Sequence, residues 1–223
     1  KIMDLRDLQE RIHTHKYDEN LIPYKTSYYK ENWGFCISKK EKKNMKQGKY
    51  KVIIESELKQ GSLDLSHAIL KGNTKNEILF SSYVCHPSMA NNELSGPIVS
   101  MSLINFFKKR KMNNTLRFIF VPETIGAIAY LHKNLKKLKK NVIGGYVLTC
   151  VGDERNFSFI PSKNNNSLTN QSALKVFKEN NMKIKKYHFT DFRSDEGNYN
   201  SFGVDLDIAT LCRTKYAEFN EYH

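Results

Sequence analysis

From residue 77 onward, apolar runs of strand length alternate with segments of helical length and periodicity. Strands are predicted over residues 77–84, 115–121 and 143–150 and near residues 185–190 and 207–211. Helices are predicted over residues 96–109, 125–138 and 167–180. This alternation predicts an α/β fold with a mixed, mainly parallel sheet and helices on both of its faces. In such sheets, ligands bind beyond the carboxyl ends of the strands.

The chain before residue 75 has a different composition. Residues 3–15 place Met3, Leu5, Leu8 and Ile12 at helical spacing, which predicts a short amphipathic helix. Residues 22–70 are rich in Tyr, Trp, Ile and Val, which indicates a β-rich segment. Strands are predicted there near residues 33–37, 51–58 and 67–70. We therefore divide the chain into residues 1–20, an N-terminal helical part of the α/β domain; residues 21–74, a small inserted β-rich domain; and residues 75–223, the α/β domain itself. The sequence begins without Met and ends at His223 with no closing element, as a fragment truncated at its C-terminus would.

The formal charge of the 223-residue chain is +13, but its lysines fall in short clusters, such as those of residues 108–111 and 136–140. These clusters are not interleaved with aromatic residues, and no groove-reading motif accompanies them. We therefore expect solvated helix ends and loops rather than a nucleic-acid interface. A nucleic-acid-associated module is the alternative, and salt-sensitive retention on DNA would test it.

The four cysteines, Cys36, Cys85, Cys150 and Cys212, show no CxxC spacing, and two of them lie in strand-like apolar runs. This pattern predicts reduced core thiols in a cytoplasmic protein. We expect no membrane association, because no apolar run reaches the roughly 18 residues that a span requires. We also expect no signal peptide before Lys1. Oligomeric state cannot be read from the sequence, and a homo-oligomer is one possibility.

Polar residues follow three successive predicted strands at the point where each strand ends. His86 stands before Pro87, which terminates the first strand; Glu123 follows the second, and Asp153 the third. A neutral imidazole and carboxylates at one sheet edge are typical of a zinc site. Further polar groups come from the loop of residues 91–96 and from residues 193–197 and 218–223. Individually, each of these signals is as consistent with a solvated loop.

Five runs resemble the zinc-dependent aminopeptidases of clan MH, which also contain the glutaminyl cyclases. The runs are CHPSMANNELSGP, PETIGAIAYL, GGYVLTCVGD, RSDEGNYNSFGVDL and EFNEYH. The chain resembles more closely a bacterial branch of aminopeptidase-like proteins of unknown function that are associated with polysaccharide biosynthesis. The runs IPYKTSYYKENWGFC and ESELKQGSL resemble the inserted β-domain of that branch.

The resemblance implies roles for individual residues. It makes His86, Asp153 and His223 metal ligands, Glu123 the general base, and Tyr222 a hydroxyl donor to the oxyanion. The metal-bridging aspartate of the family corresponds here to Asn92, and the second glutamate of its Glu-Glu pair to Thr124. Because two anionic ligands are thereby lost, we expect one zinc per chain rather than two. Further contacts to metal or substrate could come from Asn92, Glu93, Asp195 and Glu196.

Two functions follow from the resemblance. The first is a metal-dependent aminopeptidase or amidohydrolase, in which zinc activates a water, Glu123 removes its proton, and the substrate is a peptide or a small amide. The second is a catalytically inactive scaffold or binding protein of polysaccharide biosynthesis, since a fold does not fix an activity. Zinc uptake and Glu123-dependent hydrolysis distinguish the two.

Overall fold

The computed structural model describes residues 1–27, 30–87, 89–191 and 193–222. Internal contacts divide these residues into two compact units, Lys1–Gly61 and Ser62–Tyr222. The N-terminal residues 1–20 therefore group with the segment that follows them. That residues 21–74 form a domain inserted into the α/β domain stays a prediction.

The first unit is built from two small strand pairs and two short helices. Its elements are β1 (Ile2–Asp4), α1 (Leu5–Gln9), β2 (Ile12–His13), β3 (Phe35–Cys36), α2 (Lys39–Asn44) and β4 (Lys49–Lys51). Strand β1 pairs with β4 in antiparallel orientation and β2 pairs with β3 in parallel. The prediction of a helix over residues 3–15 is wrong outside α1. Strand β1 pairs with β4 and β2 pairs with β3, and this backbone pairing overrides the helical spacing of the apolar side chains.

Two further differences concern the lysine-rich and β-rich parts of this unit. Helix α2 was not predicted, and it begins with a capping box in which Ser38 and Glu41 bond each other's backbone N–H groups. The strand predicted near residues 51–58 is wrong, because β4 ends at Lys51 and residues 52–65 form neither helix nor strand.

The second unit is organised around a seven-stranded sheet. Its strands are β5 (Ser66–Leu70), β6 (Glu77–Tyr83), β7 (Thr115–Val121), β8 (Val142–Leu148), β9 (Ser158–Ile160), β10 (Lys185–Lys186) and β11 (Ile208–Cys212), in the order β10-β9-β11-β8-β6-β7-β5. Strands β7, β6, β8 and β11 run parallel, whereas β5 and β9 pair with antiparallel neighbours. The predicted mixed, mainly parallel sheet is confirmed. The strand near residues 67–70, however, belongs to this sheet rather than to the β-rich segment.

Helices cover both faces of this sheet. They are α3 (Ser95–Phe107), α4 (Ile125–Asn141), α5 (Leu168–Glu179) and α6 (Asp195–Tyr199). Neighbouring residues of a strand point to opposite faces. The hydroxyl oxygen of Ser81 lies 2.9 Å from that of Tyr199 in α6. The hydroxyl oxygen of Ser82 lies 3.1 Å from that of Ser100 in α3. Helices α6 and α3 therefore lie on opposite faces.

The main core lies between the sheet and the helices α4 and α6. It is formed by buried residues that include Leu79, Ile119, Val147, Leu138 and Tyr199. On the other face, α3 approaches β8 so closely that a Cβ at Gly96 would lie 2.1 Å from the carbonyl oxygen of Leu148. Glycine at this position lets the helix start directly above the sheet edge. Among the described residues, no helix is long and apolar enough to cross a membrane.

Candidate metal centre

The four parallel strands deliver polar groups to one edge of the sheet. Strand β6 ends at Tyr83, shortly before Cys85 and His86, and β7 ends at Val121, two residues before Glu123. The loops after β8 and β11 follow at the same edge, because parallel strands end together. Because β6 and β7 pair in parallel, His86 and Glu123 lie beyond adjacent strand ends.

Three side chains of types that can ligate a metal converge at this edge. The Nδ1 atom of His86 lies 2.8 Å from Oε1 of Glu93 and 3.0 Å from Sγ of Cys85. The sulfur lies 3.9 Å from the same carboxylate oxygen. Among the residues that the structure describes, these three form the one group of three or more potential ligands whose donor atoms all lie within 4.8 Å of one another.

A π-helical turn places Glu93 in this group. The turn, Ala90–Leu94, precedes α3 directly, and Glu93 is 4% exposed. The second carboxylate oxygen, Oε2, accepts the backbone N–H of Cys85 at 2.6 Å, which ties the turn to the end of β6. Turns of this kind are rare and recur at functional sites. The sequence predicted a loop that opens a helix here, with Glu93 as a possible contact.

The geometry favours a metal site over a nucleophilic relay. In a Cys-His-carboxylate relay, the imidazole uses one nitrogen for the thiol and the other for the carboxylate. Here both the thiol and the carboxylate approach the same nitrogen, Nδ1 of His86. Partial burial of the Cys85 thiol, followed by the charges of nearby carboxylates such as Glu93, raises the pKa of this thiol to about 12. A thiol with such a pKa is a poor free nucleophile.

The donor set also fits zinc chemically. Thiolate, imidazole and carboxylate are its usual protein ligands, at bond lengths of about 2.0–2.3 Å. Donors of a tetrahedral ion with these bonds lie about 3.5 Å apart, and the separations of the three donor atoms, 2.8, 3.0 and 3.9 Å, lie on either side of this value. Cys85 was not predicted as a ligand. The expectation of a core thiol is wrong for this residue, which is exposed; its position directly before His86 at a strand end was the available signal.

Glu123 is held by the segment that begins α6. Ser194 Oγ donates to Oε1 of Glu123 at 2.5 Å. Burial raises the pKa of Glu123, while the hydrogen bond from Ser194 opposes that shift. The next residue, Thr124, adopts φ 60° and ψ −72°, a strained backbone conformation for a β-branched residue. Its N–H donates to Oδ1 of Asp195 at 2.7 Å. Ser194 was not predicted.

Asp195 and Glu196 are fully buried but differ in their partners. Both oxygens of Glu196 accept hydrogen bonds, from the Ser194 N–H, Thr210 and Tyr216. Oδ2 of Asp195 makes no hydrogen bond with the described part of the chain. Burial first, and then the charges of Glu123 and Glu196, raise the pKa of Asp195 to about 8. An ionised Asp195 is therefore costly to the fold.

Asp195→Asn should stabilise the metal-free protein at neutral pH by about 1–3 kcal/mol, because the wild-type carboxyl must take up a proton on folding, whereas the amide is neutral in both states and keeps the Oδ1 acceptor for Thr124. The folded pKa, about 8, exceeds the unfolded value of about 4, so the stability that Asp195 contributes is present below pH 4 and lost as pH rises through 8. The advantage of the variant should accordingly grow across this window. Urea unfolding at several pH values, in chelator, measures it.

The matched control is Asp7→Asn, which changes an exposed carboxylate and should leave stability unchanged at each pH. An Asp195→Asn variant whose stability relative to wild type is the same at pH 4 and pH 8 would contradict the assignment of a buried carboxyl with a raised pKa.

Asp153 is occupied by protein donors. Its carboxylate accepts the side chains of Asn91 and Thr214 and the N–H groups of Thr214 and Arg155, at 2.7–3.1 Å. These bonds link the loops after β8 and β11 and lower the pKa of Asp153 against the opposing effect of burial. The neutral amide of Asn92 is buried and accepts from Thr149 at 3.4 Å. The ligand role of Asp153 stays a prediction.

Of the two C-terminal residues with predicted roles, Tyr222 and His223, the structure describes Tyr222. The short 3₁₀ helix Asn220–Tyr222 packs Tyr222 against Phe219 and Tyr216. Burial, followed by the charge of Glu123, raises the pKa of Tyr222, so its hydroxyl stays protonated. His223 lies outside the described residues, and its role as a ligand stays a prediction.

Comparison with known proteins places the chain in a family. A model of the family described as domain of unknown function DUF4910 matches residues 12–223. The chain belongs to this family. A relative from Clostridium acetobutylicum, provisionally named a polysaccharide biosynthesis protein with an aminopeptidase-like domain, is 36% identical over the full 223 residues. The DUF4910 chain spans 51% of that relative's length.

Solved structures support the same fold. A crystal structure from C. acetobutylicum, provisionally named a peptidase, superposes with a TM-score of 0.94 at 36% identity, covering 98% of this chain and 52% of the other. A zinc aminopeptidase from Bacillus subtilis gives 0.53 at 16% identity, covering 67% and 39%. A glutaminyl cyclase from Bacteroides thetaiotaomicron gives 0.50 at 12% identity, covering 69% and 71%. These two show that the DUF4910 chain has an aminopeptidase-like fold.

Proposed function

We propose that this chain carries the site of a metal-dependent aminopeptidase or amidohydrolase, with zinc held by His86, Glu93 and Cys85. The convergence of their donor atoms within 4.8 Å carries the proposal. The aminopeptidase-like fold and the names of the relatives support a peptidase-like role. Because Asp153 already accepts four hydrogen bonds, Glu93 is the better candidate for the carboxylate ligand, and His223 remains a candidate for the fourth position.

Each residue of this site has a distinct task in the proposed reaction. A zinc ion bound there would lower the pKa of a coordinated water and polarise the carbonyl of the substrate. Glu123, fixed through Oε1 by Ser194, receives the proton of the attacking water on its carboxylate and passes it to the leaving amine. Its raised pKa suits a group that must both accept and release a proton. The protonated hydroxyl of Tyr222 donates to the developing oxyanion.

Zinc content per chain, measured by elemental analysis after dialysis, tests the ligand assignment. We expect about one zinc in the wild type and its loss in His86→Ala and Glu93→Gln. The matched controls His132→Ala and Glu154→Gln change exposed residues and should keep the metal. Zinc retained at wild-type affinity in either site variant would refute the ligand set.

Cobalt tests the thiol separately. A Co²⁺ ion bound by a thiolate shows a sulfur-to-metal charge-transfer band in the near ultraviolet. We expect this band in the wild type and its loss in Cys85→Ser, with the weaker visible bands retained. A wild-type cobalt protein without the band would remove Cys85 from the ligand set and leave His86 and Glu93.

A second function is favoured by Asn92 and Thr124. In the resemblance noted above, both stand where the zinc aminopeptidases carry anionic ligands, and neither an amide nor a hydroxyl offsets the charge of a second ion. This substitution favours a binding or scaffold protein of polysaccharide biosynthesis that has lost hydrolysis. Absence of zinc uptake by the wild-type protein would support this second function over the first.

A further inference from the structure

We propose that a cavity in the first unit, Lys1–Gly61, binds a small anionic sugar against Trp33. The cavity measures about 380 Å³, which lies within the range of small-molecule sites. Its walls include an indole, an amide, a cation and hydroxyl groups, supplied by Trp33, Asn32, Lys25, Thr26, Ser27 and Ser56. None of these residues belongs to the metal centre, and the proposal is independent of it.

Trp33 is held in place by its neighbours. The guanidinium of Arg11 lies 5.1 Å from the centroid of the indole, and the ring of Phe35 meets it edge to face at 6.3 Å. Arg11 also donates to Oδ1 of Asn32 at 2.8 Å. The same oxygen accepts a hydrogen bond from the backbone N–H of Trp33. A fixed aromatic surface binds a ring with little loss of conformational entropy.

The amide and hydroxyl groups of the cavity suit a polyhydroxylated ligand. Because Oδ1 of Asn32 is occupied, its Nδ2 group is the part available to a ligand, and it donates to no residue in the described ranges. The hydroxyls of Thr26 and Ser56 also line the space. A flat aromatic anion would leave these groups unsatisfied, whereas a sugar offers partners for them while its C–H face packs on the indole.

The charge of the cavity selects an anion. Lys25 lines it and makes no ion pair with any described residue, and no carboxylate is found among the lining residues that the structure describes. Arg11 adds a second cation beside the indole. A phosphate or carboxylate group on the sugar would therefore find an uncompensated positive field.

Gly34 is one of the residues that line the cavity. Strands β2 and β3 pair beside it, and a Cβ on Gly34 would lie 2.7 Å from the carbonyl oxygen of Arg11 and 2.9 Å from Nε2 of His13. Any side chain at this position must shift the carbonyl of Arg11 and displace the imidazole that lines the cavity. Gly34→Ala should thus impair binding, whereas Gly61→Ala, with no heavy atom within 4 Å of its Cβ, should not.

Fluorescence tests the proposal directly, because Trp33 is the single tryptophan of the chain. The wild-type protein is titrated with glucose 1-phosphate, glucuronate, glucose, inorganic phosphate and phenyl phosphate. We expect saturable changes with glucose 1-phosphate or glucuronate at affinities at least about tenfold above those of glucose and phosphate, because ring and anion contacts add. The tighter of the two identifies the anionic group as phosphate or carboxylate.

Variants separate binding in the cavity from nonspecific attraction to a basic protein. Lys25→Gln should weaken binding of the anionic sugar about tenfold and leave binding of glucose unchanged. Lys40→Gln, which changes the net charge equally, should leave both affinities unchanged. Equal effects of the two variants would overturn the proposal. It would also be overturned by a wild-type protein that binds none of the probes, by phosphate that binds as tightly as the sugar phosphate, or by tighter binding of phenyl phosphate.

Discussion

Arg117→Ala should lower the free energy of unfolding by about 3–5 kcal/mol, because it leaves a buried carboxylate without its partner. Arg117 and Glu77 lie on neighbouring strands with side chains 2% and 5% exposed, and the guanidinium makes two bonds to the carboxylate, at 2.5 and 3.1 Å. Arg117 also donates to the hydroxyl of Tyr130 at 2.9 Å. Urea unfolding of wild type and variant measures the loss.

Two controls separate the buried pair from ion pairs in general. The first is Lys175→Ala, which breaks the exposed ion pair of Lys175 with Glu179 and should lower the free energy of unfolding by less than about 0.5 kcal/mol. The double variant Glu77→Leu and Arg117→Met should recover most of the loss, since apolar residues of similar size replace buried ion pairs at little cost. An Arg117→Ala variant that is as stable as Lys175→Ala would contradict the prediction.

The same pair gives a pH dependence with a defined sign. Burial alone would raise the pKa of Glu77, but the hydrogen bond and charge of Arg117 outweigh it and lower that pKa. A lowered pKa contributes stability above the unfolded value of about 4.3, and that stability is lost as pH falls through the folded pKa. In Arg117→Ala, Glu77 takes up a proton more readily, so the penalty of the variant should shrink as pH falls toward 4.

Long periodic segments made the central fold predictable. Strands β6, β7 and β8 and helices α3, α4 and α5 appear where apolar runs and helical periodicity place them, because burial between two layers imposes those patterns. Strand β9 was missed because it has only three residues, which are too few to show an apolar periodicity. Helix α6 was missed for another reason: its residues Asp195 and Glu196 are buried by contacts with distant strands and loops, which local sequence does not report.

The edge that carries the site was predictable, but the grouping of side chains at that edge was not. His86 and Glu123 stand at strand ends, and strand ends can be read from the sequence. Glu93 enters through a π-helical turn, whose extra residue rotates the side chain relative to an ordinary helix start. Cys85 resembled a core residue because it ends an apolar run, and the hydrogen bonds by which Asp153 links two loops join residues that are distant in sequence.

Glu123→Gln should reduce hydrolysis by about 10²–10⁴-fold and leave the zinc content unchanged. The amide keeps the size of the side chain and can still accept from Ser194, but it cannot take the proton of the attacking water. Because Glu123 is not a ligand in the proposed site, the loss should appear in kcat rather than in metal affinity or KM. Turnover of a panel of aminoacyl-p-nitroanilides, with zinc measured on the same samples, checks the prediction.

Two matched variants decide what a loss of turnover means. Glu154→Gln, at an exposed position one residue after Asp153, should keep full activity. Glu93→Gln should lose activity together with zinc, whereas Glu123→Gln should lose activity alone, since one residue binds the metal and the other moves the proton. Loss of zinc in Glu123→Gln would instead make Glu123 a ligand. Unchanged turnover in that variant would exclude it as the base and transfer the proton-accepting role to another carboxylate at the same sheet edge.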